Sequence, residues 1–259
     1  MLRPGLVSVS FRDLTPREII DLCVQNRLEG IEWGGDIHVP SDEPETAREV
    51  GQMTRNAGLE VACYGSYFRC EGEDFAPVLE CAVELGAPLI RVWAGKISGD
   101  ASPEQFEAVR SRLIGACEMA QKVGIQIATE YHGGTLTQTR DSARQLLEIV
   151  AHPNLKTLWQ PLRRGGSLNA KISENLDDLR DIAPYLSNIH VYEWRDIVAS
   201  QTKRFSLENS PQWPKYVEEL RKIGGDRWML LEFVPGDLPL AVATEAAALR
   251  RWCSDDLRG

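Results

Sequence analysis

Short apolar runs alternate along the chain with longer amphipathic stretches, and this alternation repeats eight times. The apolar runs are typical of buried strands and comprise Leu6–Ser10, Gly30–Trp33, Glu60–Tyr64, Leu89–Val92, Gln126–Glu130, Thr157–Gln160, Ile189–Tyr192 and Trp228–Glu232. Their spacing leaves room for one helix between successive strands, which parallel strands require. The pattern therefore predicts eight consecutive βα units.

The amphipathic stretches begin with residues that favour helix starts. Thr15 precedes the stretch Arg17–Asn26, and Glu18 stands three residues after it, which is the spacing of a capping box. Ser102 precedes Glu104–Lys122 in the same way, again with a residue suited to the reciprocal bond three positions on. Both stretches are therefore predicted to be helices.

Eight such units predict a closed (β/α)8 TIM barrel, an α/β fold that needs about 250 residues. The chain has 259 residues and shows no domain boundary, so we expect residues 1–259 to form a single domain. An open doubly wound sheet would place a glycine-rich, nucleotide-binding turn after the first strand. Residues Ser8–Arg12 occupy that turn and contain no glycine, so the closed barrel is favoured.

Composition and charge narrow the classes of function. The chain is 43% hydrophobic and 26% charged, as soluble globular proteins are. Its net charge of −9 disfavours nucleic acid and anionic membranes as partners, because phosphate contacts need Lys and Arg. No apolar run approaches the roughly 18 residues of a membrane helix, and Met1–Phe11 lacks the apolar core of a signal peptide. We therefore expect a cytoplasmic protein that binds neither nucleic acid nor membranes.

Side chains that can bind a metal ion stand on four successive predicted strands. Glu130 ends the fifth strand, Gln160 ends the sixth, His190 lies in the seventh and Glu232 ends the eighth. Parallel barrels build their active sites from the carboxyl ends of their strands. A glutamate that ends a strand is, on its own, usually a solvated edge residue or an ion-pair partner, and His190 alone could be a core histidine with its hydrogen bonds satisfied. Together, their shared position predicts one functional site.

The chain resembles, over nearly its whole length, the xylose-isomerase-like barrel superfamily of sugar isomerases and epimerases, inosose dehydratases and endonuclease IV. The segment TEYHGGTLTQT after the fifth strand is similar to the corresponding family segment. The resemblance implies one divalent cation, Mn²⁺ first with Mg²⁺, Co²⁺ or Zn²⁺ as alternatives, held by Glu130, Gln160, His190 and Glu232. The family commonly has Asp-x-x-His where this chain has Gln160 and Arg163. Since an amide replaces a carboxylate, we expect weak cation binding.

The resemblance also implies the chemistry. A divalent cation polarises a carbonyl oxygen and stabilises an enediolate, while Glu130 and Glu232 remove and return the proton. Return to the neighbouring carbon is isomerisation, and return to the opposite face of the same carbon is epimerisation. A dehydratase of a keto-polyol on the same scaffold is one alternative. A carbohydrate-binding barrel without catalysis is another.

Further polar and aromatic side chains fall at or just beyond the predicted strand ends. Aromatic rings suit the apolar faces of a sugar, although they also pack helices on strands. The predicted substrate contacts are His38, Tyr64, Trp93, His132, Arg163 and Trp194. Weaker candidates for binding hydroxyl or carboxylate groups are Glu32, Arg69, Arg91 and Lys96.

Two connections bear on the substrate and on assembly. Residues 193–212 form a long connection, which predicts a functional loop, either a lid or a contact in a homo-oligomer. The loop after the eighth strand contains Pro235, which lacks an amide donor, and Asp237, which would repel phosphate. We therefore expect an unphosphorylated sugar, keto-sugar or cyclitol. Lys203 and Arg204 are the alternative, as a clamp for a phosphate group.

Overall fold

Parallel strands close into a barrel in the computed structural model, which describes residues 1–97, 101–161, 171–198 and 201–254. In these ranges the barrel strands are β1 (Leu2–Val7), β2 (Gly30–Gly34), β3 (Glu60–Gly65), β4 (Leu89–Val92), β5 (Gln126–Thr129), β6 (Leu155–Trp159), β7 (Leu186–Val191) and β10 (Arg227–Leu231). They follow chain order around the barrel, and β10 pairs with β1 to close it. The predicted (β/α)8 architecture is confirmed.

Helices surround the barrel. Those in the described ranges are α1 (Pro16–Gln25), α2 (Pro44–Asn56), α3 (Ala76–Leu85), α4 (Pro103–Gln121), α5 (Arg140–Val150), α6 (Ile172–Ile182), α7 (Trp213–Ile223) and α8 (Val242–Cys253). Both predicted capping boxes form, at Thr15 and at Ser102. Within the same ranges, the helices are too short or too polar to cross a membrane.

The strands contribute to two apolar layers. Ile127 and Ile189 belong to the large core that the strands share with the helices. Their neighbours Ala128 and His190 point the other way, because successive side chains on a strand alternate faces. Two smaller clusters of strand residues, one with Ala128 and one with Trp228, fill the barrel interior. The interior is therefore packed below the level of His190.

The amino-terminal end of the barrel is closed by Trp228. Its ring lies where any side chain on Gly30 would sit, since a β-carbon added to that glycine would be 2.6 Å from the ring. The guanidinium of Arg3 lies 4.0 Å from the ring centroid and forms ion pairs with Glu29 and Glu60. With this end sealed, the carboxyl end of the barrel is left for a site.

The first strand differs from its prediction as Leu6–Ser10. Strand β1 spans Leu2–Val7, and Ser8–Phe11 forms a 3-10 turn. Pro4 and Gly5 look unlike strand residues, yet they pair with β10 on one side, and Gly5 also pairs with β2 on the other. A β-carbon on Gly5 would lie 2.7 Å from a β2 carbonyl oxygen, so close pairing explains the glycine.

The other predicted strands end within one residue of the observed ends. Glu130, Gln160 and Glu232 therefore directly follow β5, β6 and β10, whereas His190 lies within β7. Strands β6 and β7 begin two and three residues before their predicted starts, since their first residues pair at the amino-terminal end. The carboxyl ends of these strands were thus predicted to within one residue.

The predicted long loop at residues 193–212 contains an antiparallel hairpin, β8 (Trp194–Val198) and β9 (Gln201–Arg204). Its base is fixed by the buried Glu193. The carboxylate of Glu193 accepts hydrogen bonds from Ser210 Oγ at 2.6 Å and from Gln212 Nε2 at 3.0 Å. The hairpin is therefore held at its base beside the carboxyl end of β7.

Asp178 connects helix α6 to the barrel. Its buried carboxylate accepts hydrogen bonds from Trp159 Nε1 at 2.6 Å and from the Tyr131 hydroxyl at 3.1 Å. Burial raises the pKa of Asp178 to about 6, against the opposing effect of these two donors. The ordinary pKa of an aspartate carboxyl is 3.8, so we expect the folded protein to bind this proton more tightly than the unfolded chain does.

This difference predicts how stability depends on pH. The contribution of Asp178 is fully present below pH 4 and is lost as pH rises through about 6, at about 1.4 kcal/mol per unit of pKa difference. Urea unfolding should show that, between pH 4 and pH 7, the free energy of unfolding falls less steeply with pH for Asp178→Asn than for the wild type. Asp177→Asn, at an exposed carboxylate of the same helix, should keep the wild-type slope. Equal slopes in all three proteins would contradict the assignment.

Candidate functional site

Three of the predicted metal ligands meet at the carboxyl end of the barrel. Ligand atoms of Glu130, His190 and Glu232 all lie within 4.8 Å of one another. His190 Nδ1 is 3.6 Å from Glu130 Oε1 and 3.5 Å from Glu232 Oε2. All three side chains are buried. Residues separated by up to about a hundred positions thus form one cluster.

The barrel strands set the height of this cluster. The amide of Glu130 donates to the Val92 carbonyl at 3.1 Å, and that of Glu232 donates to the Val191 carbonyl at 3.0 Å. Each glutamate therefore continues the pairing of its strand by one bond. The Thr137 hydroxyl donates to the Glu130 carbonyl at 2.5 Å, which fixes the start of the following loop.

The carboxylate of Glu130 is held by two donors. Arg91 Nη1 and Trp93 Nε1 both donate to Oε2, the latter at 2.6 Å. Burial raises the pKa of Glu130, but the positive charges of Arg91 and His190 outweigh burial and hold the pKa well below its ordinary value. Glu130 is therefore ionised, with Oε1 turned towards the imidazole.

Glu32 on β2 is a further buried carboxylate beneath the cluster. It accepts hydrogen bonds from Arg91 Nε at 2.8 Å and from His190 Nε2 at 3.0 Å. Burial raises the pKa of Glu32, but the charges of His190 and Arg91 reverse the shift and lower it. The sequence indicated Glu32 and Arg91 only as weaker substrate contacts. A carboxylate inside the apolar run GIEWG was the available signal, since buried charges need partners.

Two buried atoms of the cluster have no hydrogen-bond partner among the described residues. They are His190 Nδ1 and Glu232 Oε2. Buried polar atoms are normally satisfied, so such a pair points to a group that binds there. Imidazole nitrogen and carboxylate oxygen are ligands for divalent transition metals. The donor set therefore fits a divalent cation.

The protonation of these two residues follows from their burial and from the neighbouring charges. Burial raises the pKa of Glu232 to about 7; the charge of His190 opposes this shift and that of Glu130 adds to it. Burial lowers the pKa of His190, but Glu32 and Glu232 outweigh burial and raise it well above its ordinary value. A cation that bound Nδ1 would have to displace a proton, as metal binding to histidine does.

Gln160 lies beside the cluster and lines the same cavity. Its amide nitrogen donates to the Tyr131 carbonyl, which leaves its oxygen as the remaining possible ligand. An amide oxygen is a normal ligand for hard cations. The role of Gln160 as fourth ligand stays a prediction.

A cavity of about 770 Å³ opens above the cluster, with Glu130 and Glu232 in its lining. The lining also contains two groups of aromatic rings in mutual contact, Tyr67, Trp93, His132 and Tyr192, Trp194, Phe233. The rings of Trp93 and His132 stack with centroids 4.3 Å apart. Tyr67 and Phe233 have left-handed backbones, with φ of 59° and 56°, a strain that is common at functional sites.

Three of the predicted substrate contacts line this cavity, namely Trp93, His132 and Trp194. Arg163 lies outside the described residues. The sequence reasoning missed other lining residues, among them Arg12, Gln138 and Thr139. They belong to loops, where no periodic pattern marks which way a side chain points.

The structure places His38 and Tyr64 outside the cavity lining. The ring nitrogens of His38 form hydrogen bonds with Ser8 Oγ at 2.9 Å and with the Leu14 carbonyl at 3.1 Å. The Tyr64 hydroxyl donates to the Val39 carbonyl at 2.9 Å. Both side chains are buried. Since their polar atoms already have protein partners, both support the loops around β2.

Comparison with known proteins agrees with this architecture. A family model described as xylose isomerase-like TIM barrel matches residues 20–252. A 3-dehydroshikimate dehydratase of Bacillus anthracis is 24% identical over 248 residues, which cover 85% of this chain and 87% of the relative.

Solved structures with the same fold cover nearly the whole chain. The probable 3-DHS dehydratase AsbF of Bacillus anthracis superimposes with a TM-score of 0.77 and 19% identity, over 98% of this chain and 100% of that one. A xylose isomerase-like TIM barrel protein of Mycobacterium smegmatis in complex with magnesium superimposes with a TM-score of 0.73 and 14% identity, over 98% of this chain and 97% of that one. The 3-keto-D-glucoside 4-epimerase YcjR of E. coli superimposes with a TM-score of 0.68 and 16% identity, over 97% of this chain and 100% of that one.

The cluster predicts one site for a divalent cation. Titration of metal-free protein with Mn²⁺ in a calorimeter should show a single saturable event. His190→Ala removes a ligand nitrogen and should weaken binding at least about tenfold, the lower range for disturbed metal sites. His152→Ala is the matched control, since His152 lies before β6 at the other end of the barrel. Equal binding by the two variants would exclude His190 as a ligand.

Proposed function

The chain belongs to the xylose isomerase-like TIM barrel family, and we propose that it transfers a proton next to a carbonyl group of a small polyhydroxylated compound, as sugar isomerases and epimerases do. The convergence of Glu130, His190 and Glu232 supports this proposal. The two glutamates line the cavity, and His190 is buried beside them. These three residues, with Gln160, are the proposed ligands of one divalent cation, Mn²⁺ in the first place. When bound, such a cation supplies a Lewis acid for the carbonyl oxygen.

The two glutamates differ in how they are held. Arg91 and Trp93 both donate to Glu130 Oε2, which fixes that carboxylate in position. Glu232 Oε2 lies 3.5 Å from His190 Nδ1 but accepts no hydrogen bond from the described residues. An oxygen without a donor can accept a proton without first breaking a hydrogen bond. We assign removal of the proton from carbon to Glu232, which then carries that proton and can return it to the neighbouring carbon. Glu130 is the proposed second proton-transfer group; since it is ionised, it can accept a proton but has none of its own to return.

The aromatic groups of the lining have two roles in this proposal. Flat rings such as Trp93 and Trp194 contact the apolar C–H faces of a sugar or cyclitol. They also exclude water from the carbanion-like intermediate, which water would otherwise protonate. Proton return is thereby left to the enzyme's own carboxylates.

A dehydratase is the second candidate, and the relatives favour it. The B. anthracis relative and the structure with a TM-score of 0.77 are both named as dehydratases. Loss of water from the neighbouring carbon would begin with the same proton removal. A lyase would release a product lighter by one water, whereas an isomerase or epimerase would not.

The proposed substrate carries no phosphate. Arg204, a residue of the alternative phosphate clamp, forms an ion pair with Asp237. Its guanidinium also lies 4.9 Å from the Phe233 ring and 5.4 Å from the Trp194 ring. The positive charge of Arg204 is therefore already compensated within the protein.

Proton transfer should be visible as solvent exchange. With Mn²⁺ in D₂O, a panel of keto-sugars, aldo-sugars and cyclitols should include a compound that gains deuterium next to its carbonyl group. Glu232→Gln should slow this exchange by roughly 10² to 10⁴, the usual contribution of a positioned base. Glu218→Gln, at an exposed carboxylate on α7, should exchange at the wild-type rate. Near-normal exchange by Glu232→Gln would exclude it as the base, and no exchange with any compound would favour a binding protein.

Substrate charge is tested by competition. A neutral sugar that the enzyme turns over should have a higher kcat/KM than its phosphate ester, because Arg204 is already paired with Asp237. Lys203→Ala should then change neither value, and Lys222→Ala on α7 serves as a remote control. Preference for the ester, lost in Lys203→Ala alone, would show that the substrate is phosphorylated.

A further inference from the structure

We propose that Glu32 is a positioning residue, which orients His190 and Arg91 together so that the free ligand atoms of His190 and Glu130 face one point. This inference rests on the cation site of the proposed function and adds a residue that the ligand set does not contain. Glu32 is fully buried and does not line the cavity. It can therefore act only through the residues that it holds.

Each carboxylate oxygen of Glu32 serves one partner. Oε2 accepts from His190 Nε2 at 3.0 Å, and Oε1 accepts from Arg91 Nε at 2.8 Å. The imidazole has two nitrogens, so a bond at Nε2 decides where the other one points. In this structure Nδ1 faces Glu130 and Glu232. Such carboxylate–histidine pairs fix ring orientation at metal sites.

The second partner of Glu32 is Arg91. Its guanidinium is planar, and it donates to Glu32 through Nε and to Glu130 through Nη1. A rigid fork that holds both carboxylates fixes their separation. Because Arg91 occupies Glu130 Oε2, the other oxygen is the one that faces His190. Glu32 thus determines the direction of two ligands through two different partners.

Gly65 on β3 provides the space for this arrangement. A β-carbon at this position would lie 2.5 Å from Arg91 Nη2 and 2.9 Å from Glu32 Oε1. Such distances are too short for unbonded atoms, so the pair would have to move. Gly65→Ala therefore shifts Glu32 and Arg91 without removing a charge or a hydrogen-bonding group.

A purely structural ion pair is the competing explanation. Buried carboxylates need partners wherever they occur, and Glu32 could simply satisfy Arg91 inside the barrel. A structural pair would change folding stability when disturbed, but would leave the cation affinity of the folded protein unchanged. If the pair acted only through its charge, Glu32→Gln would weaken cation binding and Gly65→Ala would not. If Glu32 is a positioning residue, both substitutions would weaken cation binding.

The test is calorimetric titration of Mn²⁺ into metal-free wild type, Glu32→Gln and Gly65→Ala. A glutamine offers one acceptor oxygen, and its NH₂ group would face a donor of Arg91 or His190, so one hydrogen bond is lost. We expect both variants to bind one cation about 10- to 100-fold more weakly. Matched controls are Glu219→Gln, which loses the partner of Arg180 at the α6–α7 contact, and Gly115→Ala on α4, where a β-carbon meets no atom within 4 Å. Both should bind as the wild type does.

A second measurement reports orientation directly. The chain has four histidines, so nitrogen-15 spectra of labelled protein with Zn²⁺ can show which nitrogen of His190 is coordinated. We expect Nδ1 in the wild type and a mixed or altered pattern in both variants.

The outcomes separate this inference from the proposed function. Wild-type affinity in both folded variants, or a loss confined to Glu32→Gln, overturns the positioning role and leaves the cation site in place. If Glu32→Gln does not fold, Gly65→Ala alone decides. A wild type that binds no cation overturns the cation site and this inference together.

Discussion

Burial of three carboxylates around one imidazole is the constraint on which the mouth of this barrel depends. Glu32, Glu130 and Glu232 are all buried and all lie next to His190. Carboxylates buried this closely repel one another and are costly unless cations or donors compensate them. Arg91 compensates two of them by binding Glu32 and Glu130. Glu232 keeps an oxygen without a donor among the described residues, and that unbalanced position is where a divalent cation or a substrate proton would be stabilised.

The remainder of the barrel allows such a cluster to exist at one end. Trp228 and Arg3 seal the amino-terminal end, and apolar strand residues fill the interior beneath the cluster. Helix α6 is tied to the barrel through the buried Asp178. A rigid frame of this kind can hold polar groups in an unfavourable arrangement, because relaxation of the cluster would require movement of strands that are packed on both faces.

Much of the fold could be predicted from the sequence, because βα units leave a local pattern of periodicity and capping. Three of four predicted ligands also met, since strand ends in a parallel barrel share one level. The contact of Glu32 with His190 beneath these ligands could not be predicted in the same way. Glu32 and His190 are 158 positions apart, and their contact depends on barrel closure and on the register shift after Ile31. His38 and Tyr64 lie outside the cavity lining. His38 follows β2 in a loop, where no periodic pattern marks the direction of a side chain, and Tyr64 is a β3 residue whose side chain belongs to the core shared with the helices.

The combination of Gln160 with Arg91 indicates what kind of cation site this chain can support. The resemblance to the family implies an aspartate where Gln160 stands, so one negative charge is missing from the ligand set. Arg91 then places a positive charge directly on Glu130. Both features lower the negative potential that a divalent cation would meet, since Coulomb energies are large in a region of low dielectric. Fewer protein charges also leave a bound cation more electrophilic towards substrate oxygens. A cation bound at the proposed site would be weakly held and strongly polarising, as the proposed activation of a carbonyl group requires.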